Sequence, residues 1–159
     1  MHVERLKVLQ AHLFSLSRIP IAKRPRTFNM NTWFSRKRSN VNEFCGTAAC
    51  ALGEAGFIPE LRKAGLKTNR RTGNVEYVDR EVSGLPLKNE DAAKAFFDIS
   101  PDMVGELFYP WRYPRVEISG RESDEVRSRR ARKITPAAVA KRIGRMIEAY
   151  EGVHDKAAA

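Results

Sequence analysis

Phe44-Cys45-Gly46-Thr47-Ala48-Ala49-Cys50-Ala51-Leu52-Gly53 is a run of small residues that holds both cysteines of the chain, and its conformation decides what the flanking segments pack against. Thr47 or Gly46 is placed to cap a helix over about 48 to 56, with Ala48, Ala49, Ala51 and Leu52 supplying propensity and Gly56 placed to stop it. Gly53 inside such a helix costs roughly 1 kcal/mol relative to alanine, so its presence predicts that another backbone passes close by.

On the N-terminal side, Val3, Leu6, Leu9, Leu13 and Leu16 recur at three- and four-residue steps between polar residues, which predicts an amphipathic helix over about 2 to 17 that ends before Pro20. Residues 21–43 read as an extended connector with one short strand near Thr27 to Phe34. On the C-terminal side, 60–66 reads as a helical turn ending at Gly65, and Lys67 to Val78 reads as a hairpin about Thr72-Gly73-Asn74. Asn89 is placed to cap a helix over about 90 to 98. Ser100-Pro101-Asp102 and Ile134-Thr135-Pro136 each open a further helix with a hydroxyl cap and proline in the first turn. Val139, Ile143, Met146, Ile147 and Tyr150 give the last helix its apolar side, and Gly152 is placed to stop it. The expected fold is mainly α: a compact single-domain bundle of about five helices over 1–152 with one small β-hairpin, the cysteine helix packed against the first and last helices, and 153–159 as a flexible tail.

Four stretches taken together, Phe28-Asn29-Met30-Asn31-Thr32-Trp33, Cys45 to Gly53, Ala92 to Phe97 leading to Leu107-Phe108-Tyr109-Pro110, and Thr135-Pro136, resemble a family of small proteins from phages and bacterial mobile elements. That family's pattern is Phe-Asn/Asp-Met-x-x-Trp, then Cys-Gly-Thr-Ala-Ala-Cys-x-x-Gly, then an alanine-rich helix running into Leu-Phe-x-Pro, and Thr-Pro before a terminal amphipathic helix. The likeness covers about three quarters of the chain, and the hairpin at 67–78 is not in the pattern. The family has no assigned activity, so the resemblance implies an origin and no chemistry.

Charge is the strongest functional signal. Lys and Arg number 29 against 19 Asp and Glu, a formal charge of +10, which favours polyanions or acidic partners. Residues 18–38 hold seven basic side chains (Arg18, Lys23, Arg24, Arg26, Arg36, Lys37, Arg38) and no acid, and residues 121–145 hold nine basic and three acidic ones. Arg127, Arg129, Arg130, Arg132 and Lys133 are the densest run, and the planar fork of its arginines suits phosphate or carboxylate. The alternative is that both stretches are solvated loops. Between them, Tyr109-Pro110-Trp111-Arg112-Tyr113-Pro114-Arg115 has the composition of a single-strand stacking platform, or of a stiff connector whose rings cover the core; burial preference favours the second. Ala92 to Phe108 has the outline of a helix-turn-helix, but Asp98 and Lys94 occupy positions where that motif uses a glycine and a small residue. Asp102 and Glu106 would also repel phosphate.

Cys45 is the one candidate nucleophile. A thiol ahead of a helix N-terminus has a lowered pKa, and His12 is the only histidine far enough from the chain ends to serve as its base. Cysteine's preference for burial favours the opposite reading, two packed thiols in a protein that is not an enzyme. A disulfide between helical residues five apart, roughly 8 Å at Cα, is out of bridging range. No metal-ligand set, phosphate loop or paired-carboxylate motif is present, so neither metal nor cofactor is expected. Charges inside the first apolar pattern and the lack of any long apolar run exclude a signal peptide and a membrane span, which predicts a cytoplasmic location, that of the host if phage-encoded. The sequence therefore predicts a small basic binding protein docking electrostatically on nucleic acid or on an acidic host protein complex, with antagonism of host defence as one setting. The alternatives are a Cys45-dependent enzyme and a structural or accessory component of a virus particle.

Overall fold

The computed structural model describes residues 1–30, 34–36, 47–78, 85–109, 112–113 and 134–157. The fold is mainly α with small sheets. Helix α1, Val3–Arg18, buries Leu6, Leu9, Leu13 and Leu16 on one face, as their spacing requires, and each fully buried leucine contributes about 1.5–3 kcal/mol by leaving water. It ends at Ile19, whose backbone is extended, as expected for the residue before proline. A single 3-10 turn, Ile21–Lys23, leads to strand β1, Thr27–Phe28.

The cysteine motif departs from the helix expected over 48–56. Thr47–Ala49 form strand β3, which lies between β1 and β2, Phe34–Arg36, in a three-stranded sheet. It runs parallel to β1 (Thr27 opposite Ala48) and antiparallel to β2 (Ser35 opposite Ala48). Alanine's helix propensity is a weak local preference, and two neighbouring strands that each need a partner override it. The helix proper, α2, is Ala51–Ala55, and its N-cap is Cys50, whose Sγ accepts the Gly53 N–H at 3.4 Å. Gly56 is its C-cap, but in right-handed geometry. What requires glycine there is contact: a Cβ at Gly56 would stand 2.1 Å from Thr68 Oγ1 and 2.5 Å from Thr68 N. The close approach anticipated at Gly53 thus falls three residues later, while Gly53's own carbonyl accepts Thr68 Oγ1 at 2.8 Å.

Helix α3, Pro59–Lys63, precedes the expected hairpin, β4 (Leu66–Thr68) and β5 (Val75–Tyr77), paired with Lys67 opposite Glu76 and turned at Gly73, φ +79°. A third strand, β6 (Leu87–Lys88), extends it, so the described residues contain two three-stranded sheets where one hairpin was anticipated. Asn89 begins α4, Asn89–Phe97, but does not cap it. Its Oδ1 instead accepts the Val75 N–H at 3.0 Å, which ties the helix to the hairpin.

Helix α5, Pro101–Phe108, starts as expected, with Ser100 Oγ accepting the Met103 N–H at 3.3 Å. In α6, Pro136–Ala157, Thr135 Oγ1 accepts the Ala138 N–H at 3.2 Å. This last helix runs through Gly152, where a stop was expected. The glycines that adopt positive φ among the described residues are Gly65 and Gly73, so Gly152 lacks the left-handed turn that ends helices. Helix α6 packs chiefly along α1, and α2 packs on β4 and α1, so the cysteine helix does not have the first and last helices as its principal neighbours. At the α1–α6 crossing, Gln10 Nε2 donates to Ala140 O at 3.2 Å, in space that a side chain at Gly144 would occupy. Among the described residues, buried side chains from both sheets and from α1 to α6 form one apolar cluster, with Phe96, Phe97 and Phe108 its largest fully buried members.

Candidate functional site

The catalytic candidate that the sequence offers is a cysteine. Cys50 is buried, and burial pushes its thiol up to about 12, with the Gly53 N–H opposing only in part. Its thiolate is therefore negligible at neutral pH. Cys45 lies outside the described residues. The case for a lowered pKa there assumed a helix over about 48 to 56 capped by Gly46 or Thr47, and the helix begins at Ala51. In the folded protein Cys50 is expected to resist an aromatic disulfide reagent at neutral pH until denaturant is added, and Cys45 is the thiol to follow in the same titration.

His12, the proposed base, is engaged elsewhere. Its Nε2 lies 3.2 Å from Glu54 Oε2, and Glu54 is fully buried on α2. Arg26 completes the cluster with two parallel bonds, Nε to Oε1 and Nη2 to Oε2, each 2.8 Å. Burial pushes the Glu54 carboxyl up, but the hydrogen bonds from Arg26 and His12 outweigh it, and the net displacement is below its ordinary value of 4.5. The cluster joins α1, the segment before β1, and α2. Sequence reasoning missed it, although Glu54 is the only charged residue between Glu43 and Glu60, which is a signal in itself.

This arrangement changes the charge map. Arg26, a candidate for binding an acidic partner, is committed to Glu54, and its guanidinium lies 4.0 Å from the centroid of the Phe57 ring. Arg24 donates to the carbonyls of Ile19 at 3.0 Å and Ser17 at 3.5 Å, bracing the turn after α1. Arg18 and Lys23 remain exposed. The side chains of Arg36, Lys37, Arg38, Arg127, Arg129, Arg130, Arg132 and Lys133 lie outside the described residues. A cationic surface that the sequence reading did not single out runs from α3 through β4 to the hairpin turn, where Arg62, Lys63, Lys67, Arg70 and Arg71 are all exposed. Arg70 lies 5.3 Å from the same Phe57 ring that Arg26 covers, so this surface borders the first basic stretch.

Of the aromatic segment, the two described tyrosines pack against the protein rather than forming an open platform. Tyr113 is buried, donates its hydroxyl to Leu107 O at 3.0 Å, and lies under the Arg142 guanidinium, 4.1 Å from the ring centroid. Tyr109 is half-buried and donates to Glu90. Trp111 and Arg115 lie outside the described residues. Arg142 also donates to Glu106 O and Arg112 O at 2.7 and 2.9 Å. Among the described residues, no group of three or more His, Cys, Asp or Glu is arranged to hold a metal ion, and no helix is long and apolar enough to cross a membrane. No family model, curated protein or solved structure matches the chain.

Proposed function

We propose that the protein binds a polyanion, nucleic acid in the first instance, through the cationic surface of α3, β4 and the hairpin turn together with the basic stretches at 18–38 and 121–145. The observation that carries this reading is the exposure of Arg62, Lys63, Lys67, Arg70 and Arg71 on consecutive elements, with Glu60 the one acid in that stretch. Cations held at fixed spacing on a short sheet lose little freedom when they meet phosphates, and each neutralised phosphate releases condensed counterions. The exposed arginines and lysines contact backbone rather than base edges, so binding is sequence-tolerant and salt-sensitive. The resemblance to phage and mobile-element proteins supplies a setting, occlusion of a host complex that itself handles nucleic acid.

Fluorescence anisotropy across a salt series tests it. Wild type is expected to bind generic DNA with an affinity that falls steeply as salt rises. Lys67→Glu/Arg70→Glu/Arg71→Glu is expected to lower the slope of log affinity against log salt by about 2–3. Neutralising Arg127, Arg129, Arg130 and Arg132 should lower it further. Absence of binding even at low salt overturns nucleic acid as the direct target and moves the assignment to an acidic protein partner.

A further inference from the structure

A groove of about 540 Å³ runs along the seam of α1 and α6, within the size range of small-ligand sites. Its apolar surface comes from Phe14 on α1, Tyr113 and Ala138, and its lip carries Lys141 and Arg145. The residues 138, 141, 142 and 145 follow helical spacing, so one face of α6 presents them all. Arg142 is not available to a ligand as a charge. It is held flat over Tyr113 by the two carbonyl bonds already described and by Glu106 at 3.4 Å, so it forms a rigid wall. Among the described residues, Lys141 and Arg145 are exposed and pair with no acid, and Glu148 at one end is the single anion of the lining.

We propose that this groove seats a base of single-stranded nucleic acid, with the flat ring against Phe14 and the edge of the Tyr113–Arg142 stack and the adjoining phosphates on Lys141 and Arg145. The inference rests on the polyanion reading and adds to it a site that distinguishes strands. Phe14 is half-buried, so part of its ring is fixed by the core and part faces the groove. Aromatic and guanidinium planes accept any base by stacking, whereas the bases of a duplex are already stacked and out of reach. Two free cations on the lip match the spaced charges of a strand better than the single head group of a fatty acid. Glu148 directs the backbone toward the Lys141–Arg145 edge. The second basic stretch of the sequence ends at Arg145, so the lip continues the charge that the sequence confines there.

The test compares a labelled short thymidine oligonucleotide with a mixed-sequence duplex of equal length at one salt concentration. Phe14→Leu, which keeps an apolar side chain and removes the ring, is expected to weaken single-strand binding about tenfold and leave duplex binding unchanged. Ala138→Trp, which fills the groove, is expected to act in the same direction, and Arg145→Glu, at an exposed position within the basic stretch, is expected to weaken single-strand binding more than duplex binding, with circular dichroism confirming the fold of each. If all three variants bind the oligonucleotide as wild type does, or lose duplex affinity equally, the groove proposal is overturned while the polyanion reading stands. Failure of wild type to bind either nucleic acid overturns both.

Discussion

Arg26→Ala is expected to destabilise the protein by about 3–5 kcal/mol, because it leaves the Glu54 carboxylate buried without its bidentate partner. Glu54 has no exposure to water, and His12 alone, at 3.2 Å and about one third exposed, cannot replace two bonds of 2.8 Å. Removing the guanidinium also uncovers the Phe57 ring. Urea denaturation of wild type and variant measures the difference. A double variant, Arg26→Leu/Glu54→Leu, is expected to recover much of the loss, since replacing both charges removes the desolvation cost along with the attraction. If the single variant loses under 1 kcal/mol, the pair is not closed in solution.

Acid titration gives the same prediction a second readout with a definite sign. In wild type the folded Glu54 carboxyl titrates below its ordinary value of 4.5. Its contribution to stability is therefore fully present above 4.5 and is lost as pH falls through the folded value. In Arg26→Ala the burial that pushes the carboxyl up is no longer outweighed, so protonation relieves the folded state. The stability gap between the two proteins should narrow as pH falls below neutrality. A gap that stays constant down to the acid range would mean that Glu54 is not the group responsible.

The elements that were legible in the sequence are those whose cause is local. The leucine spacing of α1, the Ser100 and Thr135 caps of α5 and α6, and the Gly73 turn of the hairpin each depend on residues within a few positions, and the structure has all of them. Residues 47–49 were not legible, because their partners are Thr27 and Phe28 on one side and Phe34 to Arg36 on the other. No local property of an alanine pair reveals that. Glu54 failed for the same reason, with Arg26 and His12 lying 28 and 42 residues away. The cationic surface around Arg70 was hidden differently: its five basic residues were averaged with the acidic remainder of the chain, and only the exposure of each side chain separates them.

Gly56→Ala is expected to be severely damaging for so small a change, with a loss of at least about 3 kcal/mol, at or beyond the usual upper range for overpacking. A methyl group there meets Thr68 Oγ1 at 2.1 Å, Thr68 N at 2.5 Å and the Lys67 carbonyl carbon at 2.9 Å. Two of these three are backbone atoms of β4, which is paired along its length with β5 and cannot move alone. Retreat of β4 would also break the bond from Thr68 Oγ1 to Gly53 O, leaving a buried carbonyl exposed to no partner it now has. Gly152→Ala is the matched control. It lies in α6 with nothing within 4 Å of the added methyl, so alanine's helix propensity should act alone and stabilise by about 0.5–1 kcal/mol. Thermal denaturation of the two variants beside wild type decides the matter. Opposite shifts in Tm support the close packing of α2 on β4 as the constraint that fixes glycine at 56. A Gly56→Ala protein as stable as wild type would place β4 farther from α2 than the fold described above requires, and would detach the cationic hairpin from the Glu54 cluster.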